Sequence, residues 1–155
     1  METVSRTIST FLTPALKEAG GVDMSVKTSN TRVVLSFVDA FNAADHQTMA
    51  SCLADELVAE VTQKDGSTKQ VKSRDAYMNL IAQLDIGTVR PSLTITQIAE
   101  VNKDQVLAMF EVRAVRKGRK LHNFAAYLMT IHGQQINRIW MVEALPEESD
   151  TFWSA

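Results

Sequence analysis

The sequence predicts an α+β fold: three N-terminal helices packed on one strongly curved antiparallel sheet. Three observations predict it. Apolar residues recur at helical spacing in three separate stretches between residue 30 and Gly87. After Gly87 and Pro91 the period changes to two and stays there to about residue 144. The four strand-like runs of that half are separated only by short turns, which makes consecutive strands antiparallel neighbours. Helices first and a meander afterwards is the order of an α+β chain, not of an alternating α/β one.

The elements follow in order. Residues 1–29 read as an extension, helical or loosely ordered, with Val4, Ile8, Phe11, Leu12 and Leu16 at helical spacing, Pro14 interrupting them and Gly20 and Gly21 ending them. The domain proper is residues 30–155. Asn30 or Thr31 can cap a helix to about Asn42, with Val33, Val34, Phe37, Val38 and Phe41 on one face. Asp45 can cap a second helix, 46–53, that buries Met49, Cys52 and Leu53. Residues 56–63 alternate weakly and read as a strand, and Lys64, Asp65, Gly66 and Ser67 form a hairpin-turn signal. Ser73 caps a third helix, 74–84, with Tyr77, Leu80, Ile81 and Leu84 inward. Strands are expected over 92–101, 105–117, 120–131 and 135–144.

Composition narrows the function classes. With 155 residues the chain is one domain with a sizeable core. The 16 Lys and Arg against 18 Asp and Glu leave no basic footprint for nucleic acid. The cluster Arg113, Arg116, Lys117, Arg119 and Lys120 reads as a solvated hairpin tip, with an anionic ligand or partner as the other reading. Cys52 alone makes no intramolecular disulfide, and the three His and one Cys lack zinc-ligand spacing, so no metal and no cofactor are expected. Nothing reads as a membrane span or signal peptide, which leaves a cytoplasmic protein as the expectation.

Glu143 is the residue that points to chemistry. Counting by two along its strand gives Met141 and Ile139, so a carboxylate shares a face with apolar side chains. Either that face is wet, with Glu143 capping the strand or pairing with Arg138 or Arg90, or Glu143 points into an apolar cavity, the environment that makes an acid/base catalyst.

The chain resembles the nuclear transport factor 2-like superfamily, in particular its SnoaL-like and ketosteroid-isomerase-like members. The stretch from Phe37 through Asn42 to Asp45 resembles the family's helix ending in an Asn-Ala-Gly-Asp turn. Leu53 to Asp55 resembles its strand entry, Ser73 to Tyr77 its helix start, and Gly133 to Glu143 its final strand. The resemblance implies a cone-shaped barrel around a cavity. It also implies changed chemistry. Where the isomerases place a base aspartate this chain has Val61, where they place an oxyanion-hole tyrosine it has Phe37, and where they place a protonated aspartate it has Tyr127. The Asp-Arg-Asp set of limonene-epoxide-hydrolase-like members is not reproduced. Met141 stands on the last strand, and Glu111 and Arg113 would come into play only with a register shift.

Face assignment selects the candidates. Val106, Ala108, Phe110, Val112 and Ala114 are uniformly apolar and should face inward, leaving Glu111 and Arg113 outside. The resemblance puts Asn123, Ala125, Tyr127 and Met129 inside as well, and Ile139, Met141 and Glu143 with them. The candidate catalytic set is therefore Glu143, Tyr127 and Asn123. The candidate binding walls are Phe37, Phe41, Tyr77, Phe110, Val112, Met129 and Met141. Glu143 would exchange protons, Tyr127 would donate to a carbonyl or enolate oxygen, and Asn123 would orient it. The partners expected are a small hydrophobic molecule and a second copy of the chain through the outer sheet face. A ligand-binding or adaptor domain without chemistry is the alternative, as is a subunit-like partner of a larger enzyme. His122 and Glu60 are expected outside, His46 and His132 in solvent, and Asp45 as a helix cap. The acidic tail with Phe152 and Trp153 should fold back onto the cone mouth or across a dimer.

Overall fold

A computed structural model describes residues 28–154. The readings made for Val4, Ile8, Phe11, Leu12 and Leu16 lie outside those residues. Helix α1 (Ser29–Asn42) is capped by Thr28, two or three residues before the expected cap at Asn30 or Thr31, and α2 (His46–Ser51) by Asp45. Then come β1 (Leu53–Thr62), β2 (Thr68–Lys72), α3 (Arg74–Gln83, capped by Ser73) and a single turn, α4 (Ile86–Val89). The meander is β3 (Ser92–Asn102), β4 (Gln105–Arg116), β5 (Arg119–His132) and β6 (Gln135–Glu143), followed by α5 (Pro146–Ser154). No described helix is long and apolar enough to cross a membrane.

The architecture is α+β, with the strands in one curved sheet of order β2-β1-β6-β5-β4-β3. Two features differ from the expectation. The sheet stays unclosed, with β2 and β3 as its edges, so it is not a complete barrel. One pairing is parallel: β1 lies beside β6 with Ala59 opposite Ile139 and Glu60 opposite Trp140. No local turn signal marks such a pairing, because it joins the two ends of the domain. Strand β1 also begins at Leu53, where pairing with Ile136 and full burial take the residue from the end of α2. Strand β2 is a polar edge in which only Val71 is buried, so alternation does not reveal it.

The turns that build the meander are tight. Lys117 and Gly118 both have positive φ, as do Gly133 and Gln134, which is the backbone of two-residue hairpins that follow the sheet's twist. In each turn glycine takes one of the two left-handed positions at little cost. Gly133→Ala is expected to lower stability by about 1 kcal/mol through that backbone conformation alone, read as a lower urea midpoint with an unchanged slope.

Helix α1 crosses the inner face of the sheet and buries Val34, Phe37, Val38 and Phe41 against Val106, Ala108, Phe110, Met129, Ile136 and Ile139. Its end is pinned by Asn42, whose amide donates to the Leu93 carbonyl at 3.0 Å and accepts from the Leu93 N–H at 2.8 Å. Among the described residues the outer face carries exposed apolar side chains. Phe124, Met109 and Val142 stand 48 %, 44 % and 62 % exposed on adjoining strands. Beside them Glu111 accepts from Arg113 at 2.6 Å and contacts His122 at 2.8 Å. The expected face assignment therefore holds for Glu111, Arg113 and His122. Glu60 also faces outward, contacting Gln70 at 2.8 Å and Arg138 at 3.3 Å.

Candidate active site

Strands β5 and β6 carry the site. Their register sets Tyr127 opposite Met141 and Ala125 opposite Glu143, so Glu143 and Tyr127 are diagonal neighbours on one face. Such neighbours lie about 7–8 Å apart along the sheet. Small side chains hollow out this region. Ala125 separates Glu143 from Phe110 in one cross-strand row, and Ala108 stands opposite Tyr127 in the next. Helices α1 and α3 bridge over the hollow, and α5 closes its end. The result is a cavity of about 380 Å³.

Seven of the ten candidates line that cavity: Phe37, Phe41, Tyr77, Val112, Tyr127, Met141 and Glu143. Three do not. Phe110 and Met129 face inward but lie beneath the lining, 1 % and 0 % exposed, and Phe110 supports Tyr127 edge-on at 5.1 Å between ring centres. Strand parity gives a side chain's face but not its depth under a helix. Asn123 shares that inner face but is 2 % exposed and does not line the cavity. Its amide accepts from the Leu145 N–H at 3.0 Å, donates to the Leu145 carbonyl at 3.3 Å and accepts from the Phe124 N–H at 2.8 Å. It thus pins the junction of β6 and α5, as Asn42 pins α1 to β3.

The electrostatics of Glu143 follow from its neighbours. Burial among Met141, Ala125 and the aromatic walls raises its carboxyl above the ordinary 4.5, and a hydrogen bond from the Ser149 hydroxyl at 3.3 Å offsets part of that rise. Neither arginine weighed as a rim partner reaches it. Arg138 serves Glu60 and lies over Trp140 at 4.3 Å, while Arg90 donates to the Ala43 carbonyl at 3.2 Å. Tyr127 is held well above its usual range, first by burial and then by the nearby Tyr77 and Glu143. Burial raises Tyr77 too. Both phenols are therefore neutral donors at physiological pH. Among the described lining residues there is no Lys, Arg or His. No group of three His, Cys, Asp or Glu that would hold a metal ion occurs among the described residues.

A carboxyl raised on folding favours the folded state while it is protonated. That contribution is complete below the unfolded value and is lost as pH rises through the higher folded value. Glutamine cannot ionise. Glu143→Gln is therefore expected to melt above wild type at about pH 7, with the gap closing towards about pH 4. Thermal melts across that interval check it.

Sequence reasoning missed the end wall. Ser149, Trp153 and Ser154 of α5 line the cavity, together with Val61, Leu93 and Gln83. The tail reading anticipated only that Phe152 and Trp153 would fold back. A helix signal was present, with Pro146 at the first position and Glu147 and Glu148 in the first turn. Val61 and Phe37, which stand where the resemblance places a base and a donor, both line the cavity as apolar wall.

Residues 34–139 match the family described as SnoaL-like domain. No curated protein sequence matches the chain. Solved structures share its fold. Bal32a, from a soil-derived mobile gene cassette, is similar with a TM-score of 0.72 at 15% identity, over 81% of this chain and 96% of that one. A protein assigned as a SnoaL-like polyketide cyclase from Jannaschia sp. CCS1 is similar with a TM-score of 0.68 at 16% identity, over 87% and 99%. An LEH-like epoxide hydrolase from M. tuberculosis is similar with a TM-score of 0.66 at 15% identity, over 81% and 90%.

Proposed function

The chain belongs to the SnoaL-like domain family, and from that premise we propose that it is an acid/base enzyme acting on a small, neutral, hydrophobic carbonyl compound. The reaction class is proton transfer next to the carbonyl, as in isomerisation, cyclisation or dehydration. The observation that carries this reading is Glu143, half-buried in an apolar cavity with Tyr127 as its diagonal neighbour and no Lys, Arg or His among the described residues of the lining. Glu143 as carboxylate takes a proton from the carbon next to the carbonyl. Tyr127, kept protonated by burial, donates to the oxygen on which charge develops. Glu143, now the acid, returns the proton elsewhere on the product. A lining without described cations favours a neutral ligand over a phosphate or a free acid. Epoxide opening is less well supported: Met141 occupies the wall, and Glu111 and Arg113 are on the outer face, bonded to each other.

The outer face carries the second part of the proposal. Phe124, Met109 and Val142 form an apolar area that a second copy of the chain would cover, giving a homodimer. Ligand binding without turnover is the other reading, favoured by apolar Val61 and Phe37 at positions where related isomerases have functional groups.

A thermal-shift screen of wild type against neutral ketones, enones, epoxides and matching free acids tests the ligand class. A neutral carbonyl compound at about 100 times its Kd adds roughly 2.7 kcal/mol, seen as a rise of several degrees. Acids and epoxides are expected to give none. A preference for the free acids would overturn the ligand class.

A further inference from the structure

Helix α5 lies beyond the family match, which ends at residue 139, yet it supplies one wall of the cavity. At nine residues it is too short to hold its shape alone. Three attachments impose that shape. Asn123 pins Leu145 just before the helix. The Ser149 hydroxyl donates to Glu143 in its first turns. At the far end Arg116 donates to the carbonyls of Phe152 and Trp153, at 3.3 and 2.8 Å.

Arg116 departs from the reading of its neighbours as a solvated basic tip. Arg113, Lys117, Arg119 and Lys120 are exposed, but Arg116 has the parity of Val112 and Ala114, so it leaves β4 on the inner face and is half-buried. A cation at the last carbonyls of a helix is also favoured by the helix dipole. Phe152, 4 % exposed, seats the helix on Ala114 and Leu121. It meets Trp153 edge-on at 4.8 Å and 89°, which fixes the indole against the cavity.

We propose that α5 is the specificity wall of the cavity, with Trp153 limiting the length of the ligand admitted and Arg116 as the positioning residue that holds the wall shut. This rests on the cavity being the ligand site. The ligand class it implies is a planar, neutral carbonyl compound, flat enough to lie between Trp153 and the rings of Phe37, Phe41 and Tyr77.

The test uses the chain's two tryptophans. In a Trp140→Phe background the emission reports Trp153 alone. A series of bicyclic and tricyclic neutral ketones is titrated, with binding measured in parallel by calorimetry. The expected results are a saturable change in Trp153 emission and, in Trp153→Ala, a shift of at least roughly tenfold in the Kd ratio towards the tricyclic compounds. Trp153→Phe, which keeps an aromatic ring against Phe152, should shift the ratio in the same direction by less and serves if the alanine variant fails to fold. Without ligand, Arg116→Ala should red-shift Trp153 emission, and Arg116→Lys should restore part of it. An unchanged Kd ratio in both Trp153 variants, or calorimetric binding with silent Trp153 emission, overturns the specificity wall while leaving the cavity reading intact. Emission unmoved by Arg116→Ala overturns the positioning role. Absence of any calorimetric binding to wild type removes the cavity reading and the wall with it.

Discussion

Glu143→Gln is expected to cut turnover of a neutral carbonyl substrate by about a hundred- to ten-thousand-fold, the usual worth of a positioned acid/base group, with binding affinity nearly unchanged. The substitution keeps the shape of the side chain and its contact with Ser149, which lies at 3.3 Å. It removes only the ability to carry a proton. The expected pattern is therefore a fall in kcat and in kcat/KM together, which marks an interaction used in the transition state. Tyr127→Phe should cost less, because it removes one hydrogen-bond donor from the developing oxyanion and leaves proton transfer in place. Steady-state kinetics on the compound class found by thermal shift checks both. A Glu143→Gln variant that binds ligand and turns over at the wild-type rate would move the function to ligand binding alone.

Asn123→Leu is expected to be the more damaging change for the fold. The side chain is 2 % exposed and satisfies three backbone groups: the N–H and carbonyl of Leu145 and the N–H of Phe124. Leucine fills a similar volume but bonds none of them. Leaving these part-buried backbone groups unpaired costs about 1 kcal/mol or somewhat more each, the lower end of the range for buried groups. Partial relaxation at the β6–α5 junction brings the expected total to roughly 3 kcal/mol. At about 2–4 °C for each kcal/mol in a domain of this size, the melting temperature should fall by about 6–12 °C. Because Leu145 leads into α5, the same variant should loosen Ser149 from Glu143 and expose Trp153. Asn123→Ser, which keeps a shorter hydrogen-bonding group, should recover part of the loss. Urea unfolding followed by tryptophan emission reads both effects.

Local pattern carried much of this molecule. The uniform apolar set from Val106 to Ala114 set the inner face of β4, and that of Glu143 followed from Ile139 and Met141, because strand parity is a strict alternation. The hairpin tips at Gly118 and Gly133 were legible because left-handed backbone selects a short list of residues. What remained unread depends on distant parts of the chain. The parallel pairing of Ala59 with Ile139 joins opposite ends of the domain. Parity gives the inner face of Asn123, but its partner is a backbone segment that only the finished fold brings near. Arg116 stands among basic residues in the sequence, yet its parity with Ala114 sends it inward. Phe110 and Met129 illustrate a limit of another kind: alternation separates two faces of a strand, while depth within one face depends on where α1 crosses the sheet.

The central claim is that Glu143 is a desolvated carboxyl inside a ligand cavity. Titration of its side-chain carboxyl by carbon NMR, assigned by difference from Glu143→Gln, tests this most directly. The account predicts a midpoint above the ordinary 4.5 that rises further when a neutral ketone displaces the remaining water from the cavity. A midpoint at or below 4.5, unmoved by any bound ligand, would mean a solvated or ion-paired carboxylate and would contradict the account.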